Sequence, residues 1–306
     1  MLNTITKIGK KLKSNKTVKP GLFGLFMTIP ALITLTALII FPLGYLLYNT
    51  LFKVNRFTPD IPPKFVGLEN YISIFNDRYM LTAIGNTFFF VFVSVVIELI
   101  VGMAIAMLIY QPFKGRTLIR TLLLTPVMIA PVVAALQWRW LYTDQYGVIN
   151  YILSWVGIDG PLWLADPKIA MWSIIIVDIW ITFPFVMLLL EAGLASVSEE
   201  LIEASKVDGA NFWQRFLYII FPIISPTILV VFLIRVMDAY RIFDTIYVLT
   251  RGGPGVVTET VSTYAYRLAF TNLNFESSGA LSIMATLVVA LFSVIMVRIM
   301  RKQEIL

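Results

Sequence analysis

Apolar residues run along this chain in blocks of twenty or more, separated by short stretches in which charged residues, prolines and glycines collect. A block of ~20 apolar residues at a rise of ~1.5 Å each matches the ~30 Å hydrocarbon layer of a bilayer, so each block reads as a spanning helix. Six blocks qualify, near residues 22–50, 84–110, 119–141, 168–193, 226–248 and 279–300. The first follows a lysine-rich stretch but far exceeds the ~7–15 residues of a cleaved signal's apolar core, and it reads as a retained span. The pattern predicts an all-α integral membrane protein with about six transmembrane helices. Residues 1–20 form a basic tail, and 21–306 form a single transmembrane domain.

Prolines fall in or beside these blocks at Pro30, Pro42, Pro126, Pro131 and Pro184. Each removes a backbone donor and bends its helix, which a membrane tolerates where neighbouring helices or water satisfy the freed carbonyl. The short loops carry Trp138, Trp140, Tyr142 and Trp163 near helix ends, where an interfacial aromatic belt is expected.

Composition agrees with this picture. Of 306 residues, 58% are hydrophobic and 14% charged, whereas soluble domains run at about 45–50% apolar and about 25% charged. The net charge of +6 is a matter of position, because Lys7, Lys10, Lys11, Lys13, Lys16 and Lys19 all precede the first block. They read as a topogenic cluster, not as a nucleic-acid surface. With the N-terminus inside, fourteen basic residues face the cytoplasm and seven face outward, which places both termini inside. Cysteine and histidine are absent, which removes thiolate and imidazole metal sites, cysteine nucleophiles and histidine-dependent triads. No metal site is expected and no catalytic residue is assigned.

Charges inside the apolar blocks are the candidate chemistry, because an isolated ion at bilayer depth costs several kcal/mol. The fifth block holds Arg235, Asp238, Arg241 and Asp244. Residues three apart are neighbours on a helix, so the spacing predicts pairs Arg235–Asp238 and Arg241–Asp244. In the fourth block Asp178, Ile181, Thr182 and Phe185 fall on one helical face, a carboxylate, a hydroxyl and a ring on one stripe. Two readings of Asp178 stand side by side: a contact to a hydroxylated solute, or a bond that holds the bundle together. Glu98 in the second block reads as a packing partner, and Gly102 with Ala106 is a small-xxx-small spacing suited to close helix approach.

Residues 198–225, between the fourth and fifth blocks, are too polar to span and fall on the cytoplasmic side. They predict two short helices: one from Glu199 to Val207, a break at Asp208, Gly209 and Ala210, and a second capped by Asn211 and ended by Pro222.

Within this loop Glu203, Ala204 and Ser205, then Gly209 after three residues, then Ile219 and Pro222, resemble the EAA motif of ABC-importer permeases. Ser205 stands for the motif's third-position alanine and Phe221 for its leucine. The segments 65–71 (FVGLENY) and 243–255 (FDTIYVLTRGGPG), then 258–260 (TET) and 264–270 (YAYRLAF), are similar to the carbohydrate-importer branch, which includes the F-type maltose permease subunits.

The resemblance implies the type I ABC importer permease fold, with a cytoplasmic coupling helix at the start of the loop. It implies that Glu203, Ala204, Ser205, Asp208, Gly209 and Ala210 dock a separate ATPase, with Gly209 setting the bend. It further implies solute contacts from Asp178, Ile181, Thr182, Phe185, Asp238, Ala239 and Ile242, to which side-chain chemistry adds Arg241 and Asp244. The expected assembly is an ATP-driven importer of a sugar or sugar-like solute in the plasma membrane of a prokaryote. This chain would pair with a second permease, two ATP-binding subunits and an external solute-binding protein, in contact with membrane lipid and without nucleic acid. No cofactor is expected on this chain; ATP with magnesium belongs to the partner ATPase, since no phosphate-binding G-x-x-x-x-G-K-[ST] occurs in the sequence. An ion-coupled secondary transporter, with its buried charges relaying protons, is the alternative.

Overall fold

The fold is that of a computed structural model, in which residues 22–54 and 62–302 are described. The basic tail and its six lysines, and Arg56 in the first outer loop, lie outside the described residues. The chain divides into two compact units, Met1–Asn49 and Thr50–Leu306.

In the first unit, helix α1 (Leu22–Leu35) runs through a π turn (Thr36–Ile40) into α2 (Phe41–Asn49). The π turn sits immediately before Pro42. Proline cannot donate to the carbonyl four residues back, and the i→i+5 bond from Phe41 N–H to Thr36 O carries the helix past the gap.

The second unit opens with a two-residue ladder, β1 (Phe52–Lys53) antiparallel to β2 (Lys64–Phe65), the one departure from all-α among the described residues. The short α3 (Glu69–Phe75) follows. Asn70 ties it back by donating to the carbonyls of Thr50 and Phe52, both at 2.8 Å. The second span, α4 (Arg78–Tyr110), is capped by Asp77, which accepts from Tyr79 N–H at 2.9 Å.

The third block departs from the expected single span. It is two helices, α5 (Arg116–Leu124), continued by a 3-10 turn through Met128, and α6 (Pro131–Leu141), bent by 99°. Pro126 and Pro131 explain the break: Pro131 starts a new helix, where its missing N–H costs nothing, and Ile129 and Ala130 between them are extended. Among the described residues, five helices are long and apolar enough to span, or six if this bent pair counts as one.

After α7 (Val148–Trp155) comes α8 (Ala170–Leu194), the most enclosed helix, which passes Pro184 without breaking. Its residues Ile174, Val177, Val186, Met187 and Leu190 are fully or almost fully buried. Close packing of α4 on α8 rests on Gly102, where a Cβ would stand 2.6 Å from Val186 Cγ1.

The loop then forms α9 (Glu199–Val207) and α10 (Phe212–Arg215). Pro222 does not end the second short helix as the sequence led us to expect. A π turn (Phe216–Ile220) precedes it, and the helix continues as α11 (Phe221–Tyr240), the fifth span. Here too the residue before the proline, Phe221, bonds five residues back to Phe216 O. The span stops at Tyr240, short of the expected 248, and a separate α12 (Asp244–Leu249) packs on α6, with Arg139 donating to Val248 O at 3.2 Å. Helices α13 (Val261–Tyr266) and α14 (Phe275–Lys302), the sixth span, are the last of the described residues' elements.

The four aromatics expected at the interface divide. Trp140 is exposed, whereas Tyr142 is buried, stacked 5.3 Å from Trp163, with its hydroxyl donating to Ser173 O at 3.1 Å.

Candidate functional site

Where α4, α8 and α11 meet, Arg235 is buried between carboxylates. Its Nε donates to Glu98 Oε2 at 2.7 Å and its Nη2 to Glu98 Oε1 at 3.1 Å, a two-pronged pair. The same Nη2 reaches Asp178 Oδ2 at 3.4 Å, and Nη1 stands 4.0 Å from Asp238 Oδ2. Three spans are thus joined by one guanidinium. Burial of such a group is tolerated only because its charge and donors are met; removing one partner of a buried pair costs about 3–5 kcal/mol.

The expected pairings are corrected accordingly. Arg235 answers Glu98 and Asp178 across helices more closely than Asp238 on its own helix. Arg241 pairs with Asp238 at 2.7 Å, three residues before it, and not with Asp244. The reason is the early helix end: beyond Tyr240 the i,i+3 geometry is lost, so Asp244 instead opens α12. Glu98, read from the sequence as a packing partner, is fully buried and paired with Arg235.

The nine residues expected to meet solute fall into two layers. Asp178, Ile181 and Ala239 are buried, with Asp178 held by Arg235. Thr182 is half-buried and donates to the Asp178 carbonyl at 2.7 Å; Phe185 and Ile242 are also half-buried. Asp238 and Arg241 are exposed and paired at the end of α11, and Asp244 is exposed at the start of α12.

The loop between the fourth and fifth spans is folded as a rigid corner. Gly209 adopts φ +79°, a backbone region that favours glycine. Asn211 Oδ1 accepts from Gln214 N–H at 2.9 Å, while Gln214 Oε1 accepts from Asn211 N–H at 2.8 Å, a reciprocal cap. Arg215 Nη1 donates to Ala210 O at 2.9 Å, closing the corner. Glu203, Ala204, Asp208 and Gly209 are exposed, Ala210 is half-buried and Ser205 is buried, its hydroxyl donating to Ile202 O at 2.7 Å. A small residue at the motif's third position follows from that burial.

Two ion clusters were counted in the sequence only for topology or not at all. Glu191, buried near the end of α8, takes Arg116 at 3.0 Å and Arg120 at 3.1 Å. Their i,i+4 spacing on α5 was the available signal. On the other side Glu259 is gripped by Arg267 through bonds of 2.7 and 2.8 Å, and Arg267 also lies 4.9 Å over the ring of Tyr79. Burial pushes the Glu259 carboxyl up from its ordinary range, against the pull of Arg267. Tyr264 bonds Asp77 beside them.

Long apolar helices, a bent third span and an exposed corner between the fourth and fifth fit a multi-pass membrane protein. The chain belongs to the family described as the binding-protein-dependent transport system inner membrane component, whose model matches residues 98–304. It is 35% identical to the trehalose/maltose transport system permease protein MalF of Thermococcus litoralis, over 95% of this chain and 97% of that one. It is 38% identical to the trehalose transport system permease protein SugA of Mycobacterium tuberculosis, over 90% of this chain and 87% of that one. Among solved structures it resembles a chain of a bacterial ABC transporter that imports the acidic polysaccharide alginate, with a TM-score of 0.80, 25% identity and coverage of 94% and 98%. A second structure of the alginate transporter is in complex with an alginate pentasaccharide-bound periplasmic protein. The type I ABC importer permease fold expected from the EAA motif is therefore present, and family membership sets the secondary-transporter alternative aside.

Proposed function

We propose that this permease carries a sugar or sugar-like solute across the plasma membrane of a prokaryote, in the class of oligosaccharides, disaccharides, sugar alcohols and glycerol 3-phosphate. The names of MalF and SugA support the sugar class, and the alginate transporter supports delivery by an external solute-binding protein. The remaining partners are a second permease subunit and two ATP-binding subunits, which hold ATP with magnesium; this chain binds no cofactor of its own.

The observation that carries the reading is the corner at Gly209. It presents Glu203, Ala204 and Asp208 to solvent on a short helix whose far side is pinned by Ser205 and by the Arg215–Ala210 bond. Such a rigid, acidic knob suits a cleft in an ATPase subunit, and alternating access follows when closure of two ATPases moves two knobs together.

Solute contact falls to Asp238, Arg241 and Asp244, which offer acceptors and donors to vicinal hydroxyls, with Ile242 as apolar surface. Thr182 and Phe185 lie one and two turns along α8 from Asp178, on the cytoplasmic side of the Arg235 cluster, and extend the path inward. Asp178, Ile181 and Ala239 form the layer beneath, and Asp178 orients Arg235 and so Asp238. Reconstituting the permease with its partner subunits and measuring uptake of labelled trehalose, maltose and glycerol 3-phosphate with and without ATP tests this reading. ATP-dependent uptake of one of them is expected; uptake confined to a solute without hydroxyls would overturn the sugar class.

A further inference from the structure

The docking corner joins the spans through a short, closed turn. Between the end of α8 at Leu194 and the start of α9 at Glu199, Ala195 N–H bonds Glu191 O at 3.2 Å, Ser196 N–H bonds Gly193 O at 3.0 Å and Val197 N–H bonds Leu194 O at 3.1 Å. A shift of α9 therefore reaches the last turn of α8. That turn is wedged on two sides. A Cβ on Gly193 would meet Thr227 of α11 at 2.9 Å. Two residues earlier, and so on the opposite face of the helix, Glu191 takes Arg116 and Arg120 of α5 at 3.0 and 3.1 Å. These are the ion pairs that α5 makes among the described residues. The 3-10 turn that follows α5 also packs on α8.

We propose that Glu191 is a positioning residue for energy coupling: its pairs to Arg116 and Arg120 make α5 follow the docking corner. Turning about the break between Pro126 and Pro131, α5 then shifts α6 and the start of α12, which carries Asp244. The inference rests on the function proposed above for the corner and for Asp244. A buried ion pair is often no better for stability than well-packed apolar residues in its place, and what it adds here is fixed geometry. Glu191 is buried, whereas Arg116 and Arg120 are 37% and 42% exposed, so both guanidinium groups can exchange between the carboxylate and water. With partners four residues apart on α5, Glu191 can keep one while the other lets go, which holds α5 to α8 through a change of angle. An apolar side chain at 191 would hold α5 without fixing where along α8 it sits. The break beyond is built as a hinge: Ile129 and Ala130 are extended between two helices at 99°, and neither flanking proline has an N–H to stiffen it. On its far side α6 packs on α12.

The test uses the permease in vesicles with its partner subunits and the external solute-binding protein. ATP hydrolysis and uptake of labelled trehalose, maltose and glycerol 3-phosphate are read in the same vesicles. Glu191→Gln leaves two arginines that water can reach, so the fold, recovery of the ATPase and hydrolysis are expected to stay close to those of the unaltered protein. Solute carried per ATP hydrolysed should fall several-fold, and Glu191→Asp, which keeps the charge, should restore much of it. Arg116→Gln and Arg120→Gln each leave Glu191 one partner and should lower the same ratio by less, which keeps the proposal testable if Glu191→Gln fails to fold. An unchanged ratio in Glu191→Gln or in both arginine variants, or hydrolysis and uptake falling in step, would overturn the role of Glu191 alone. An unaltered assembly that takes up none of the three solutes with ATP would overturn the function on which the inference rests, and the inference with it.

Discussion

Arg235 and Glu98 form a two-pronged ion pair across 137 residues of sequence, with contacts of 2.7 and 3.1 Å, both side chains buried at the meeting of three spans. The pair fixes the rotation of α11 against α4, and through Asp178 against α8 as well. Asp238 then emerges on the exposed side one helical turn further on.

Breaking this cluster on one side leaves a charge without its partner. Arg235→Met or Glu98→Leu alone should destabilise the protein by about 3–5 kcal/mol, seen as a lower unfolding midpoint in detergent and poor recovery from membranes. The triple change Glu98→Leu, Asp178→Leu and Arg235→Met removes all three charges and should recover much of that loss. A single variant as stable as the unaltered chain would contradict a paired, buried cluster.

Gly102 sets the distance between α4 and α8. A Cβ there meets Val186 Cγ1 at 2.6 Å and the Met187 backbone nitrogen at 3.2 Å, so Gly102→Ala should cost about 1–3 kcal/mol, the range for overpacking. Adding Val186→Ala removes the nearer contact, and the double variant should lose less than the two single effects combined. Strict additivity of the two would argue against contact at this point.

The corner separates residues by exposure. Ser205→Ala should be nearly neutral and Ser205→Leu harmful, because the site is buried. Gly209→Ala forces a side chain into left-handed backbone at a cost of about 1–2 kcal/mol. Both harmful changes should weaken ATPase binding, measured by co-purification, while leaving the span region folded. Equal tolerance of alanine and leucine at 205 would mean that the side chain does not pack as observed.

At the proposed solute site, Asp238→Ala and Arg241→Ala remove exposed groups and should raise the half-saturating solute concentration for uptake with little change in stability. Asp178→Ala differs, since it strips a partner from Arg235 and should lower both uptake and unfolding midpoint. Identical profiles for Asp178→Ala and Asp238→Ala would contradict the two-layer arrangement.

Much of this was legible in the sequence. The spans were, because a twenty-residue apolar block has one cheap solution in lipid. The corner was too: Asn211 caps as its residue type demands and Gly209 turns as only glycine does without strain. What escaped depends on contacts between distant residues or on competing local geometry. Periodicity matched Arg235 with Asp238 because they share a helix, and it had no means of seeing Glu98 arrive from α4. It extended the fifth span to 248, since Ile242, Ile246 and Val248 are apolar; yet Tyr240 ends the helix and α12 turns away to pack on α6. Pro222 read as a stop because a proline cannot donate, and a π turn carried the helix through. Pro126 and Pro131 read as kinks and produced a 99° break.

The most direct measurement is recovery of ATP-binding subunits with the permease when Glu203 is reversed in charge. Glu203 is exposed on α9, with no ion pair or side-chain hydrogen bond among the described residues, so Glu203→Arg should leave expression and unfolding midpoint unchanged. We predict that the variant loses most of the co-purifying ATPase and ATP-dependent uptake together. Full ATPase recovery with normal uptake in a correctly folded Glu203→Arg protein would contradict the assignment of this corner as the coupling element.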